Sequence, residues 1–387
     1  MIFLEDNIEI HYLENNKGQI YKEDKLFYEG YFKENIPNGY GILYHENKTK
    51  IYSGTFKEGK ITGYGIFYTE DGFILYKGEL LNGKKNGIGV LYYENTNQIK
   101  YEGFFKDDFY HGNGIIYYEN GHKWYEGNFK NNSWEGIGTF YLENGDIKYK
   151  GEFIDYDFNG IGRYYKENNI YYEGNFKNGI PNGLGMYFFN HSNKIQYRGE
   201  VKEGEPNGFG TTYYENGSIH YQGYYNEGKP HGYGIGYYED GILYYSGYFN
   251  NGLKDKEGIL YCSCNGSKRY EGEFNEDKFN GKGILYDHGE MIYKGEFKNG
   301  NFHGYGTYYI NGVVEYEGEW KNDYTKKEIE EDYNRIIDIS NQYKIKDIQE
   351  LLDEGKIMEI SNLFFEEKEN IPNGIYLEIQ NLLMNFY

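Results

Sequence analysis

Three histidines, His111, His231 and His303, stand at one offset in a recurring pattern, eight residues after a glycine. Imidazoles are common metal ligands, so a shared metal site is the first chemistry to test. The pattern recurs every 23 to 25 residues, which puts the three residues three and five repeats apart. With two strands per repeat at the usual strand spacing, the gaps are roughly 29 and 48 Å, and no single ion bridges them. Cys262 and Cys264 supply two thiols, two short of a closed tetrahedral zinc site, and no histidine is near in sequence. A disulfide across one intervening residue would be strained, so reduced thiols are expected there. The recurring Gly-x-Gly lacks a following Lys-Ser/Thr and precedes a strand, where a phosphate or dinucleotide loop needs a helix. No Ser, His, Cys or Asp constellation stands out from the repeat background. The expectation is a non-enzyme with no catalytic, cofactor-binding or metal site.

Composition narrows the partners. The chain has 387 residues, a net charge of −21, and only four arginines among 40 basic residues. Nucleic acids and anionic lipid surfaces draw on clustered Lys and Arg, and the field of this chain opposes both. The start, MIFLEDNIEIHY, lacks a basic segment followed by an apolar core. No run approaches 18 apolar residues. The expected location is cytoplasmic, with peripheral membrane or cytoskeletal association left open.

The elements that carry these residues come from internal repetition, which decides architecture before any local signal. A skeleton clearest at Tyr293, Gly295, Phe297, Gly304 and Gly306 recurs at thirteen anchor glycines from Gly30 to Gly318. Two residues before each anchor is a tyrosine, and two after it an apolar residue, from Phe32 to Trp320. Spacing of two is strand periodicity, so tyrosine, glycine and phenylalanine share a face. Gly, Asn or Asp follows five after the anchor in twelve of thirteen repeats, Tyr156 being the exception. Pro37, Pro181, Pro206 and Pro230 fall seven after it. Both features predict a turn there. Pairs such as Asn144-Gly145 and Asn216-Gly217 predict two-residue hairpins between repeats. Glycine inside a strand is costly unless something needs its space, and the expected occupant is an aromatic ring from the adjacent strand.

This pattern, Tyr-x-Gly-x-Phe-x-x-Gly-x-x-x-Gly-x-Gly, resembles the MORN (membrane occupation and recognition nexus) repeat over residues 28 to about 324. The resemblance and the spacing agree on an all-β repeat array: an elongated single-layer antiparallel sheet of consecutive β-hairpins, spanning on the order of 120 Å. A degenerate repeat or N-terminal cap is expected over 1–27, and a helical segment over 325–387. Thr325 with Glu328 reads as a capping box. Ile336, Ile348, Ile360 and Ile379 lie in stretches of helical periodicity. That tail is a cap for the last sheet edge or an interaction module.

The resemblance implies a scaffold that binds protein partners or associates with itself, through repeats or C-terminal helices. It also implies phosphoinositide or phosphatidic acid binding, which the charge and the shortage of arginine oppose. Exposed aromatic rings make good binding surfaces. The candidate partner-binding residues are those between the paired glycines: Tyr40, Tyr64, Phe209, Tyr233 and Tyr305.

Overall fold

The computed structural model describes residues 8–384 and Phe386. Twenty-eight antiparallel strands follow in chain order, and four helices close the described chain. Contacts divide it into two compact halves, one ending at Glu205 and the other beginning at Pro206.

In the first half, β1 (Ile8–Tyr12) and β2 (Lys17–Lys22) form a hairpin ahead of the regular repeats, and β2 pairs with β3 (Lys25–Lys33). β3 and β4 (Ile36–Tyr44) make the first full repeat. The turn between them holds Glu34 and Asn35 at φ of 50° and 65°. Two successive left-handed residues make the type I′ turn that matches strand twist. The same two positions are left-handed in later repeats, including Asp155 and Tyr156. Tyr156 therefore accepts a conformation that bulky residues rarely take.

The connections between repeats differ from expectation. At Asn144-Gly145 only Gly145 is left-handed, with φ 91°. The Leu142 N–H donates to the Asp146 carbonyl, and Gly145 N–H donates to the Leu142 carbonyl. This is a three-residue loop with a bulge, not a two-residue hairpin. The asparagine side chain braces the loop from within. Its Oδ1 accepts from Asp146 N–H at 3.0 Å, and Asn216 does the same for Ser218 at 2.8 Å. Asn in such Asx turns holds its own backbone.

The four prolines also lie elsewhere than predicted. Pro37, Pro181 and Pro230 sit in strands opposite Phe32, Phe176 and Tyr225, and Pro206 takes the same place in its strand. The N–H at this position points toward the next repeat's turn. Where it exists, a side chain there can cap it: Lys85, Tyr110, Lys254 and Phe302 donate to Asp108, Asn132, Asp277 and Asp323 at 2.6–2.9 Å. After each proline the capping position holds Gly59, Gly204, Gly228 or Gly252. There the glycine N–H donates to the proline carbonyl at 2.8–3.0 Å. Proline costs no ladder bond because no acceptor waits for it.

The core is a row of rings along one face of the sheet. Twelve of the thirteen tyrosines two before an anchor are buried, as are all thirteen apolar residues two after it. In the eleven repeats where the latter is aromatic, the tyrosine meets it edge-to-face within its own repeat and commonly in the next one; Leu80 and Val201 stand there in the other two. Tyr270, for example, lies 5.0 Å from Phe274 and 5.2 Å from Phe297. Such pairs add about 0.5–1.5 kcal/mol beyond burial, and they couple neighbouring repeats.

In the second half the helices follow the last strands. They are α1 (Lys326–Tyr343), α2 (Ile348–Asp353), α3 (Ile357–Glu366) and α4 (Asn373–Met384). The capping box at the start of α1 is formed by Thr325 and Glu328. Ile336, Ile348, Ile360, Phe364 and Ile379 share a small core. Arg335 ties α1 to α4 by donating to Glu378 at 2.7 Å.

Candidate interaction surface

The two glycines of each pair do different work. The later one gives room. A Cβ on Gly41 would collide with the ring of Tyr28, and one on Gly306 with the ring of Tyr293. In a complete repeat the ring covers two glycines, the anchor on its own strand and the partner across the ladder, as Tyr28 does over Gly30 and Gly41. The occupant expected from an adjacent strand is thus correct for the later glycine, while over the anchor the ring is from the same strand.

The earlier glycine gives backbone freedom. Gly39, Gly87 and Gly304 have φ of 110°, 104° and 63°, where a side chain is disfavoured. Lys256, the one replacement at this position, takes φ 56°. The backbone bulges here, and the register shifts beside it. At all thirteen repeats, the tyrosine two before the anchor donates its hydroxyl to the carbonyl one after it. Tyr28 reaches Tyr31 at 3.1 Å, Tyr101 reaches Phe104 at 2.9 Å, and Tyr293 reaches Glu296 at 3.0 Å. That donor explains why the position holds tyrosine and not phenylalanine.

Alternation puts the residue between the glycines on the opposite face: Tyr40 pairs with Thr55, between the pairs Gly39 with Phe56 and Gly41 with Gly54. There Tyr40, Tyr64, Phe209, Tyr233 and Tyr305 are 46–57% exposed, whereas Tyr293 and Phe297 are buried at 0% and 3%. The same slot holds Ile88, Ile137, Ile161 and Leu184, exposed at 65–68%. Sequence reasoning missed these four because it asked only for aromatic rings; their apolar character at the same offset was the signal that could have found them. In the first half the row runs Tyr40, Tyr64, Ile88, then Asn113, then Ile137, Ile161 and Leu184. In the second half, Glu257 and Lys282 separate Tyr233 from Tyr305. A cavity of about 490 Å³ lies beside Tyr305 over Gly283 and Gly295, flanked by Lys282 and Lys294.

The row is bordered by charge in most repeats. Tyr64 faces Glu79 across the ladder and Tyr305 faces Glu319. The Tyr305 hydroxyl also donates to Glu317 at 3.2 Å, a hydrogen bond that raises its pKa. Lys123 and Glu126 pair at 2.7 Å, and that hydrogen bond holds the Glu126 carboxyl below its ordinary range.

Among the described residues, no group of three or more His, Cys, Asp and Glu is placed to hold a metal ion. His111 and His303 each leave a buried Nδ1 without a partner in the described structure. The expectation of free thiols is corrected: Cys262 and Cys264 are joined in a disulfide. They sit in the loop closed by Cys262 N–H on the Ser267 carbonyl. The loop brings their Cα atoms to 5.4 Å, within ordinary reach for a disulfide.

A family profile for the MORN repeat matches eleven segments: residues 28–50, 52–73, 76–98, 101–123, 125–147, 172–191, 197–219, 221–242, 270–288, 293–314 and 316–324. These cover more than half of the chain, and the chain belongs to the MORN repeat family. The unmatched repeats are those anchored at Gly151, whose turn holds Tyr156, and Gly247, which carries Lys256. No curated protein matches the chain. Among solved structures, the chain is similar to one titled "Crystal Structure of TcdB2-TccC3-Cdc42", at 10% identity and a TM-score of 0.13. That match covers 73% of this chain and spans only 16% of the other.

Proposed function

We propose that the chain is a non-catalytic scaffold or adaptor that holds a protein partner against the face carrying Tyr40, Tyr64, Phe209, Tyr233 and Tyr305. The supporting observation is that nine of the twelve complete repeats turn one apolar side chain outward, at a slot between the paired-glycine positions. Buried rings on the opposite face do the structural work, which leaves the outward row for recognition. Exposed aromatic residues of this kind are the usual anchors of interfaces. In this reading, residues 1–27 are a degenerate repeat or cap, 28–324 the array, and 325–387 a helical cap whose first turn continues from the last strand. The location proposed is cytoplasmic.

The test compares quantitative capture from native cell extract by the full chain with capture by a variant carrying serine at those five positions. The variant is expected to melt as the wild type does and to lose its partner. Partners kept by the variant, but lost when the chain ends at Asp323, would move recognition to the helices. Co-sedimentation with liposomes containing acidic phospholipid addresses the membrane reading. Given a charge of −21, no pelleting above neutral liposomes is expected.

A further inference from the structure

Within the second half, one geometry appears twice, one repeat apart. Phe209 and Tyr224 face each other on the strands Glu205–Tyr213 and Ile219–Asn226, with ring centroids 5.5 Å apart and planes at 76°. Tyr233 and Tyr248 face each other on Lys229–Tyr237 and Leu243–Asn250, at 5.6 Å and 77°. All four rings are 43–54% exposed. Each pair forms a shallow notch, the exposed corner at which two nearly perpendicular rings meet edge to face.

Spacing and charge together specify an occupant. Successive notches are two strands apart, about 9.6 Å. A polyproline II helix has three residues per turn at about 3.1 Å each, or roughly 9.3 Å per turn. Laid across the strands, it would place residues i and i+3 in successive notches. The neighbours of these rings along the same two strand pairs are Thr211, Gln222, Ile235 and Ser246, and the charge at the block's edge is Lys256, whose Nζ lies 5.9 Å from the centre of the Tyr248 ring, in a chain of net charge −21. A basic segment would lose hydration here and face Lys256, and an acidic one would approach against the field of the whole chain, whereas an uncharged one meets neither cost. Polyproline II leaves its carbonyls unpaired; the hydroxyls of Tyr224 and Tyr248 supply donors beside the notches, while that of Tyr233 is paired with Ser246 Oγ at 2.8 Å. Aromatic-lined grooves of this kind bind proline-rich segments, because their stiffness lowers the entropy lost on binding.

We infer that Phe209, Tyr224, Tyr233 and Tyr248 bind an uncharged, proline-rich segment of a partner protein in the polyproline II conformation. This rests on the scaffold reading and narrows its partner. The other outward tyrosines make no such notch: Tyr40, Tyr64 and Tyr305 face Thr55, Glu79 and Glu319.

The test is calorimetric titration of the full chain with an uncharged proline-rich peptide of about nine residues, three turns of the helix. A peptide of equal length with every proline replaced by glycine is the control. The expected result is saturable binding of the proline peptide only. Affinity should fall at least tenfold in Phe209→Ser/Tyr233→Ser and stay unchanged in Tyr40→Ser/Tyr64→Ser. Footprinting of the wild type should show the four rings protected by the peptide, which covers the case of a variant that fails to fold. Absence of saturable binding, equal binding of the glycine peptide, or equal affinity in Phe209→Ser/Tyr233→Ser with the rings unprotected would overturn the inference. If the peptide fails while the five-serine variant still loses its captured partner, the scaffold reading stands and the polyproline class falls.

Discussion

The hydroxyl of Tyr293 donates to the carbonyl of Glu296 at 3.0 Å, while the ring of the same tyrosine fills the space over Gly306. One side chain thus closes the bulge and occupies the gap made by two glycines. Tyr293→Phe keeps the ring and removes the donor. Leaving a largely desolvated carbonyl unpaired costs about 1–3 kcal/mol. Denaturant melting should show that loss, with faster amide exchange in the strands holding Tyr293 and Gly306. An unchanged midpoint would mean that water replaces the hydroxyl.

Gly306→Ala tests the space instead of the bond. The added Cβ meets the Tyr293 ring, and overpacking of this kind costs about 1–3 kcal/mol. Gly312→Ala is the comparison: its Cβ would meet nothing within 4 Å, and only its φ of 75° opposes it. The first substitution should lower the melting temperature more than the second. The reverse order would contradict ring-over-glycine packing.

The proline and cap positions should be coupled. Asp108→Gly removes the acceptor for the Lys85 N–H, at 2.9 Å, and should destabilise by about 1 kcal/mol. In that background Lys85→Pro removes the orphaned donor and reproduces the Pro37 and Gly59 arrangement. The double variant is expected to be more stable than the sum of the single effects, as a double-mutant cycle reads directly. Additive losses would refute the pairing.

Alkali should unfold the chain through its buried phenols. Burial pushes Tyr225 and Tyr293 up to about 12 from 10.0, and Tyr28, Tyr101 and Tyr245 higher still. A raised folded pKa means that the unfolded chain releases its protons first. Stability is therefore intact below pH 10 and falls as pH rises through 12. Thermal melts from pH 8 to 12 should be flat at first and then decline, with tyrosinate absorbance rising at the transition. A decline that begins well below pH 10 would have another cause.

Much of this was legible in the sequence, because a repeat states its rules thirteen times. The shared face of Tyr293, Gly295 and Phe297, the hairpin array and the capping box at Thr325 all followed from spacing. What was missed concerns backbone geometry, which residue type reports only in part. Gly304 and Gly306 look alike in sequence, yet one answers to its φ and the other to a ring. Asn144-Gly145 reads as a tight hairpin, but the asparagine uses its side chain for its own backbone and the turn lengthens by one residue. Pro37 reads as a turn residue, and only the neighbouring repeat shows that no acceptor is aimed at it. Ile88, Ile137, Ile161 and Leu184 take the outward slot by alternation, and they were passed over because only aromatic rings were sought at that offset.

The most direct test of the scaffold account is hydroxyl-radical footprinting of the chain alone and bound to a captured partner. Tyr40, Tyr64, Phe209, Tyr233 and Tyr305 should be modified in the free chain and protected in the complex, with Tyr52, Tyr101 and Tyr293 unmodified in both. A complex in which the outward row stays fully reactive, while Met358 and Phe365 on α3 become protected, would contradict it.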